Sequence, residues 1–194
     1  MVNKTLILCE GGDDVGFLSK FCKELGLKVK EKEVVIQKIS KESENNSAKS
    51  AFFKIDSYSM IKQWIDNGQY SKVLFMVDAD YPENDAVYGG LANTQKALDE
   101  IINTLGFTKK AKYFIACDPI NKTGNLEHLI LSTIDDTKTK CINKLLDCVL
   151  EMDVHSDKKI VLSSYEAIFK ESPYNYTHEN FKELTELLLW LVSK

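Results

Sequence analysis

The chain has 194 residues, 44% of them apolar and 28% charged, with 9 Gly, 3 Pro, 5 Cys and a net charge of −4. This length predicts one domain, or one domain with an appendage, burying roughly 70% of the surface its unfolded form exposes. The composition excludes disordered, collagen-like and disulfide-scaffold classes, and the acidic balance argues against holding nucleic acid by bulk electrostatics. It leaves room for an enzyme that meets nucleic acid through bound metal ions. The longest apolar run, Leu187 to Val192, is far short of the ~20 residues that cross a bilayer. The stretch before Glu10 is too short for a signal-peptide core, so no export and no membrane partner are expected. Cys9, Cys22, Cys117, Cys141 and Cys148 show no CxxC spacing, which points to reduced thiols, a cytoplasmic setting and no zinc cluster.

In chain order, Lys4 to Cys9 is a short apolar run that stops at Glu10-Gly11-Gly12, a strand followed by a turn. Asp13 is the expected N-cap of a helix carrying Val15, Leu18, Phe21, Cys22 and Leu25 on one side, closed by Gly26. Glu33 to Ile39 reads as a second strand, and the polar stretch Ser40 to Ser50 as a mobile loop. Ile55 to Asn67 has helical spacing. Lys72 to Val77 is a continuous apolar run suited to a strand buried on both faces, ending in Asp78-Ala79-Asp80. Leu91 to Leu105 predicts a helix ended by Gly106, and Lys112 to Cys117 a fourth strand ended by Asp118-Pro119.

Beyond this point the pattern is helical: a short helix over Asn125 to Leu131, then longer ones over Lys138 to Glu151, Lys159 to Lys170 and His178 to Val192. Strands alternating with helices imply βαβ units. The expected fold class is therefore α/β, a three-layer, mainly parallel sheet of about four strands with a helical C-terminal extension. The division expected is an α/β core over 1–131 and an extension over 132–194 packed on the same domain. Trp64 and Trp190 are expected in the core, and Leu187 to Val192 as core or as a dimer face.

In open parallel sheets the functional crevice lies outside the carboxyl ends of the strands. Those ends are acidic here: Glu10 with Asp13 and Asp14 after the first strand, Asp78 and Asp80 after the third, Asp118 after the fourth. Converged carboxylates repel unless a hard cation compensates them, and magnesium takes one or two carboxylates plus waters and phosphate oxygens. Taken singly, each piece has a plain reading. With 14 Asp in 194 residues, about one DxD arises by chance, and there is one. Glu10 to Asp14 can be a turn and a helix cap, and it lacks the Lys and Ser/Thr of a phosphate-binding P-loop. Gly124-Asn125-Leu126-Glu127 can be a loop with an acidic helix start.

In combination, an apolar strand running into EGGDD, a later strand ending in VDAD, and the segment GNLEHLIL resemble the Toprim domain over residues 4 to 131. That is the catalytic fold of primases, topoisomerases and OLD-family nucleases. Within it the chain is similar to small bacterial stand-alone Toprim-like proteins and to the Toprim part of OLD-family nucleases. The resemblance implies catalytic roles for Glu10 and Asp14, with Glu10 also a metal ligand. It implies a metal-binding pair in Asp78 and Asp80 and a further carboxylate for a second metal in Glu127. The implied cofactor is Mg2+ or Mn2+, and the implied partner is a nucleic acid or a nucleotide. Pro82 stands where topoisomerase relatives carry a third Asp, and neither a tyrosine-nucleophile domain nor strand passage is expected.

The expected function is Mg2+-dependent phosphoryl transfer on phosphodiesters, nuclease-like in character. Lys109, Lys110, Lys112 and Lys122 are the candidates for a basic residue near the metals. The alternative is a non-catalytic binding or regulatory module derived from the same frame. Further alternatives are a haloacid-dehalogenase-like phosphatase and a nucleotide-sugar transferase, which also use DxD but assign no role to EGGDD. His128, His155 and His178 are not at metal spacing, and His128 is expected to be structural or exposed.

Overall fold

A computed structural model describes residues 4–29, 33–39, 51–150, 158–169 and 174–193. Ser40 to Ser50, Glu151, His155, Lys170, Ser172 and Pro173 lie outside the described residues. Four strands form one sheet: β1 (Lys4–Cys9), β2 (Val34–Lys38), β3 (Tyr70–Asp78) and β4 (Ala111–Ala116), in the order β2-β1-β3-β4 and all parallel. The seven α-helices among the described residues are α1 (Gly12–Glu24), α2 (Ser59–Asp66), α3 (Leu91–Leu105), α4 (Leu126–Leu131), α5 (Asp136–Leu150), α6 (Lys158–Ile168) and α7 (Lys182–Val192). The fold class is the expected one, an α/β chain on a four-stranded parallel sheet with a helical C-terminal part.

Period-two alternation sends the strand side chains to two separate cores. Ile7, Cys9, Leu74, Met76 and Phe114 point to one face, where α1 supplies Phe17, Leu18 and Phe21 and α7 supplies Leu184, Leu188 and Leu191. Leu6, Leu8, Val73, Phe75 and Val77 point to the other, packed on α2 through Ile61 and Ile65 and on α3 through Leu98, Ile101 and Leu105. Burial on both faces explains why β1 and β3 read as unbroken apolar runs. The C-terminal helices are part of the first core, since Ile142, Leu146, Val161, Leu162 and Tyr165 join the same cluster.

Several local details depart from the sequence reading for identifiable reasons. The N-cap of α1 is Gly11, not Asp13, because Asp14 at the third helical position reaches back to the Gly11 N–H at 2.8 Å. The helix expected over Ile55 to Asn67 opens with a 3-10 turn, Ile55–Tyr58, before α2 begins. Similarly, a 3-10 turn over Glu179–Phe181 precedes α7. α3 has the predicted bounds and ends at Gly106, whose φ of 72° makes the left-handed C-cap that glycine accepts. Trp64 and Trp190 are partly buried at the edges of the two cores, not inside them. The Leu187 to Val192 run buries Leu188 and Leu191 completely and leaves Leu189 50% exposed.

The C-terminus of α7 is tied to the sheet by one ammonium group. Lys72 Nζ, on β3, donates to the Trp190 carbonyl at 2.7 Å, to the Ser193 carbonyl at 2.7 Å and to Ser193 Oγ at 2.9 Å. It also lies 5.1 Å from the Trp190 ring centroid. A cation at a helix's negative end satisfies otherwise unpaired carbonyls. Lys72→Met is expected to lower stability by about 1–2 kcal/mol, read as a shifted midpoint in chemical denaturation. An unchanged midpoint would show that this cap contributes nothing.

Candidate active site

The parallel pairing of β1 with β3 sets Cys9 beside Met76, so both chains leave the sheet at the same edge. Glu10 leaves β1 there and Asp78 ends β3. Beyond that edge lies a pocket of about 190 Å3, lined by Glu10, Asp13, Asp14, Asp78, Glu127 and Lys159 together with Gly11, Gly12, Asn125 and Leu126. Of the seven carboxylates singled out in the sequence, five therefore meet in one place: Glu10 just past β1, Asp13 and Asp14 in α1, Asp78 ending β3 and Glu127 in α4. Asp80 and Asp118 are not among the described residues that line it.

Backbone donors hold two of these carboxylates. Asp78 Oδ1 accepts the Leu126 N–H at 2.9 Å, at the first residue of α4. This bond docks the GNLEHLIL segment on the VDAD exit. Asp14 Oδ2 accepts from Gly11 as described, and Asp14 is only 6% exposed. Burial raises the Asp78 pKa well above the usual carboxylate range, and the neighbouring charges of Asp14, Glu10 and Asp80 raise it further. Burial likewise lifts Asp14 to about 6, opposed by its Gly11 hydrogen bond and reinforced by Glu127 and Asp13. Both shifts have the cause expected of desolvated like charges.

Asp80 joins two loops through its backbone. Its φ is 55°, a left-handed conformation that aspartate tolerates better than most residues. Its N–H donates to the Gly124 carbonyl at 2.7 Å, and the Gly124 N–H donates to its carbonyl at 3.0 Å. This two-bond bridge clips the loop after β3 to the loop after β4. Gly124 itself has φ 89°, and a Cβ there would sit 2.8 Å from the His128 ring. His128 is half-buried: its Nε2 lies 2.7 Å from Tyr81 Oη, and its Nδ1 pairs with Asn125 Oδ1. It bridges these two loops from α4, a structural role. Asp118 turns into its own loop and accepts from Ile120 and Asn121.

The basic group at the pocket is Lys159, from α6. Its Nζ lies 2.7 Å from Asp13 Oδ2 and 3.9 Å from Glu127 Oε1, and its side chain is 66% exposed. None of the four lysines considered from sequence lines the pocket. Lys109 and Lys110 precede β4 and so lie at the opposite edge of the sheet. Lys112 stands over the Trp190 ring, and Lys122 lines a separate cleft with Pro82 and Gly90. The only sequence signal for Lys159 is the Lys158-Lys159 pair opening a helix, and nothing in that pair points to β1 or β3.

A family model described as "Protein of unknown function (DUF3226)" matches residues 4–173, crossing from the sheet into α5 and α6. The chain belongs to this family. Neither a curated protein nor a solved structure matches it. In this DUF3226 chain no helix among the described residues is long and apolar enough to cross a membrane. Cys9, Cys22 and Cys117 are buried free thiols, and Cys141 and Cys148 are exposed ones.

The pocket's donors are hard carboxylate oxygens, the chemistry that suits Mg2+ or Mn2+. Among the described residues no group of three or more His, Cys, Asp or Glu side chains is arranged to hold an ion. One or two carboxylates completed by water and substrate oxygens is the usual protein share of a magnesium site, and Glu10 and Asp78 can supply that share.

The Asp14 carboxyl makes the electrostatic cost measurable. The folded protein binds this proton more tightly than the unfolded chain, so the stability it contributes is present below the ordinary value of 3.8. That contribution is lost as pH rises through about 6. An asparagine keeps an acceptor for the Gly11 N–H and carries no charge. Asp14→Asn is expected to be more stable than the natural chain at pH 8 by roughly 1–3 kcal/mol, with the advantage shrinking as pH falls from 6 towards 4. Equal stability at both ends of that range would remove the burial argument.

Proposed function

We propose that the acidic pocket is the active site of a Mg2+-dependent phosphoryl-transfer enzyme that acts on phosphodiesters. The single observation that carries this reading is the convergence of Glu10, Asp14, Asp78 and Glu127 on one pocket at the carboxyl edge of a parallel sheet. The Toprim resemblance of EGGDD, VDAD and GNLEHLIL supports it, since those three segments are the ones that meet there. A haloacid-dehalogenase-like reading leaves Glu10 and Asp14 idle, although both line the pocket.

On this reading Glu10 and Asp78 hold the ion, with Asp80 and Glu127 as the further carboxylates that the resemblance implies. A divalent ion supplies charge neutralisation at a phosphoryl oxygen. Asp14, raised to about 6, is ionised near neutral pH and basic enough to accept a proton from an attacking water, the range in which a general base works best. As the water oxygen bonds to phosphorus, its proton passes to the Asp14 carboxylate. The bond to the leaving alcohol oxygen breaks, and that oxygen takes a proton from solvent. Lys159 brings an ammonium group to the pocket's rim, where it can meet a non-bridging phosphate oxygen.

One observation favours a second reading. Among the described residues no three carboxylates are arranged as a ready-made ion site, as in a binding module that kept the frame without the chemistry. Asp78→Asn retains the acceptor for Leu126 and removes the charge, so it separates the two. The natural chain is expected to bind Mn2+ and to cleave bis(p-nitrophenyl) phosphate in its presence, and Asp78→Asn to lower the rate at least a hundredfold with weakened Mn2+ binding. Binding and cleavage that both survive Asp78→Asn would end the proposal. A chain that binds neither ion nor diester would favour the module.

A further inference from the structure

Next to the acidic pocket lies a larger cleft of about 300 Å3 between α1, α4 and α6, closed on one side by Tyr174. The two share Gly12, Asp13, Leu126, Glu127 and Lys159 as a common wall. A ligand seated in both would place an anionic end beside Lys159 and any cation the carboxylates hold, and a neutral body in the cleft.

The lining of the cleft specifies that body. Phe17 and Tyr174 meet edge to face, 5.8 Å apart and at 83°, and form an aromatic wall. Lys20, Ser163 and Glu166 supply donors and acceptors around it, and Tyr174 Oη donates to Glu166. A wholly apolar body would strip water from these polar groups without replacing it. A wholly polar one would gain nothing from the rings. A nucleoside answers both demands, with a flat π face for the aromatic wall and ring-edge and ribose groups for hydrogen bonds. The volume is at the lower end of the ~300–1,000 Å3 usual for small-ligand sites. It has room for one nucleoside and none for a duplex.

Gly16 supplies an independent argument. It sits inside α1, where glycine is roughly 1 kcal/mol worse than alanine. A Cβ there would meet nothing within 4 Å, so packing does not require glycine. The space it leaves open is the floor of the cleft. Gly12, one turn earlier, also lines the cleft and also has nothing within 4 Å of an added Cβ. Two helix positions that present no side chain to one cleft leave room for a molecule lying across α1.

We propose that this cleft binds the nucleoside portion of a nucleotide whose phosphate lies in the acidic pocket. The substrate is then a free nucleotide ester or the terminal nucleotide of a single strand. The proposal rests on the phosphoryl-transfer reading for the role of the phosphate, but its test reads binding alone: adenosine without metal, and the phosphate-bearing probes with Mg2+ present. The probes are adenosine 5′-monophosphate, adenosine, a 5′-phosphorylated single-stranded oligonucleotide and a blunt duplex, titrated calorimetrically against the full chain.

The natural chain is expected to bind adenosine 5′-monophosphate and adenosine, and Gly16→Leu to weaken both at least tenfold by filling the floor. Ser163→Leu, on the opposite wall, is expected to do the same and serves if Gly16→Leu fails to fold. Tighter binding of the oligonucleotide than of the monophosphate assigns the site to a strand end, and the reverse assigns it to a free nucleotide. No binding of either adenine ligand overturns the proposal, as does binding that ignores both substitutions or a duplex bound as tightly as the monophosphate. Absence of diester cleavage alongside substitution-sensitive nucleotide binding would sink the phosphoryl-transfer reading alone.

Discussion

The constraint on which the site depends is the parallel register of β1 and β3. These two strands are central in the sheet, and with Cys9 paired to Met76 their exits are neighbours. Glu10 and Asp78 follow within one or two residues, so their proximity is enforced by several backbone hydrogen bonds. Left to themselves the carboxylates would separate. The sheet prevents that, and the backbone N–H groups of Gly11 and Leu126 hold Asp14 and Asp78 in place. Burial first, and the neighbouring like charges after it, raise the pKa values of both residues. A fold optimised only for stability has no reason to gather like charges in a partly dry pocket, which is why such clusters mark functional sites.

The C-terminal helices contribute to both the packing and the lining of the pocket. Without α7, one face of β3 and β4 would lose Leu184, Leu188 and Leu191 from its core. With α6 packed alongside α4, Lys159 reaches Asp13 and Glu127 across the pocket's rim. The family match continues through these helices to residue 173. The sheet edge and the helical part therefore form one site, with the carboxylates supplied by the first and the ammonium by the second.

Sequence patterns made the sheet readable because β1 and β3 are buried on both faces, leaving continuous apolar runs with acidic exits. α3 was equally clear, bounded by Gly90 and by Gly106 with its left-handed backbone. Five site carboxylates were legible for the same reason, since position at a strand exit or on the helix start after it decides where they point. Asp80, two residues past β3, takes a left-handed backbone with φ 55° that is bridged to Gly124, and local sequence does not display that conformation. The choice of Gly11 over Asp13 as cap rests on the burial of Asp14, which local sequence does not display. Lys159 was illegible in principle, because its place follows from how α6 packs, not from any spacing to the strands.

Charge balance links the stability of the fold to the proposed chemistry. Lys159 lies closer to Asp13 than to Glu127, so its charge acts mainly at the rim, while Asp78 feels the like charges of Asp14, Glu10 and Asp80. Two agents can relieve the excess: protons, which Asp14 takes up below about 6, and a divalent cation. Both act on the same oxygens and therefore compete, so ion affinity must fall as pH drops through that value while stability without the ion rises. A structural salt-bridge network would behave in the opposite sense, losing stability when its carboxylates are protonated. The direction of the pH dependence thus distinguishes a site held ready for a cation from an acidic surface that merely solubilises the chain.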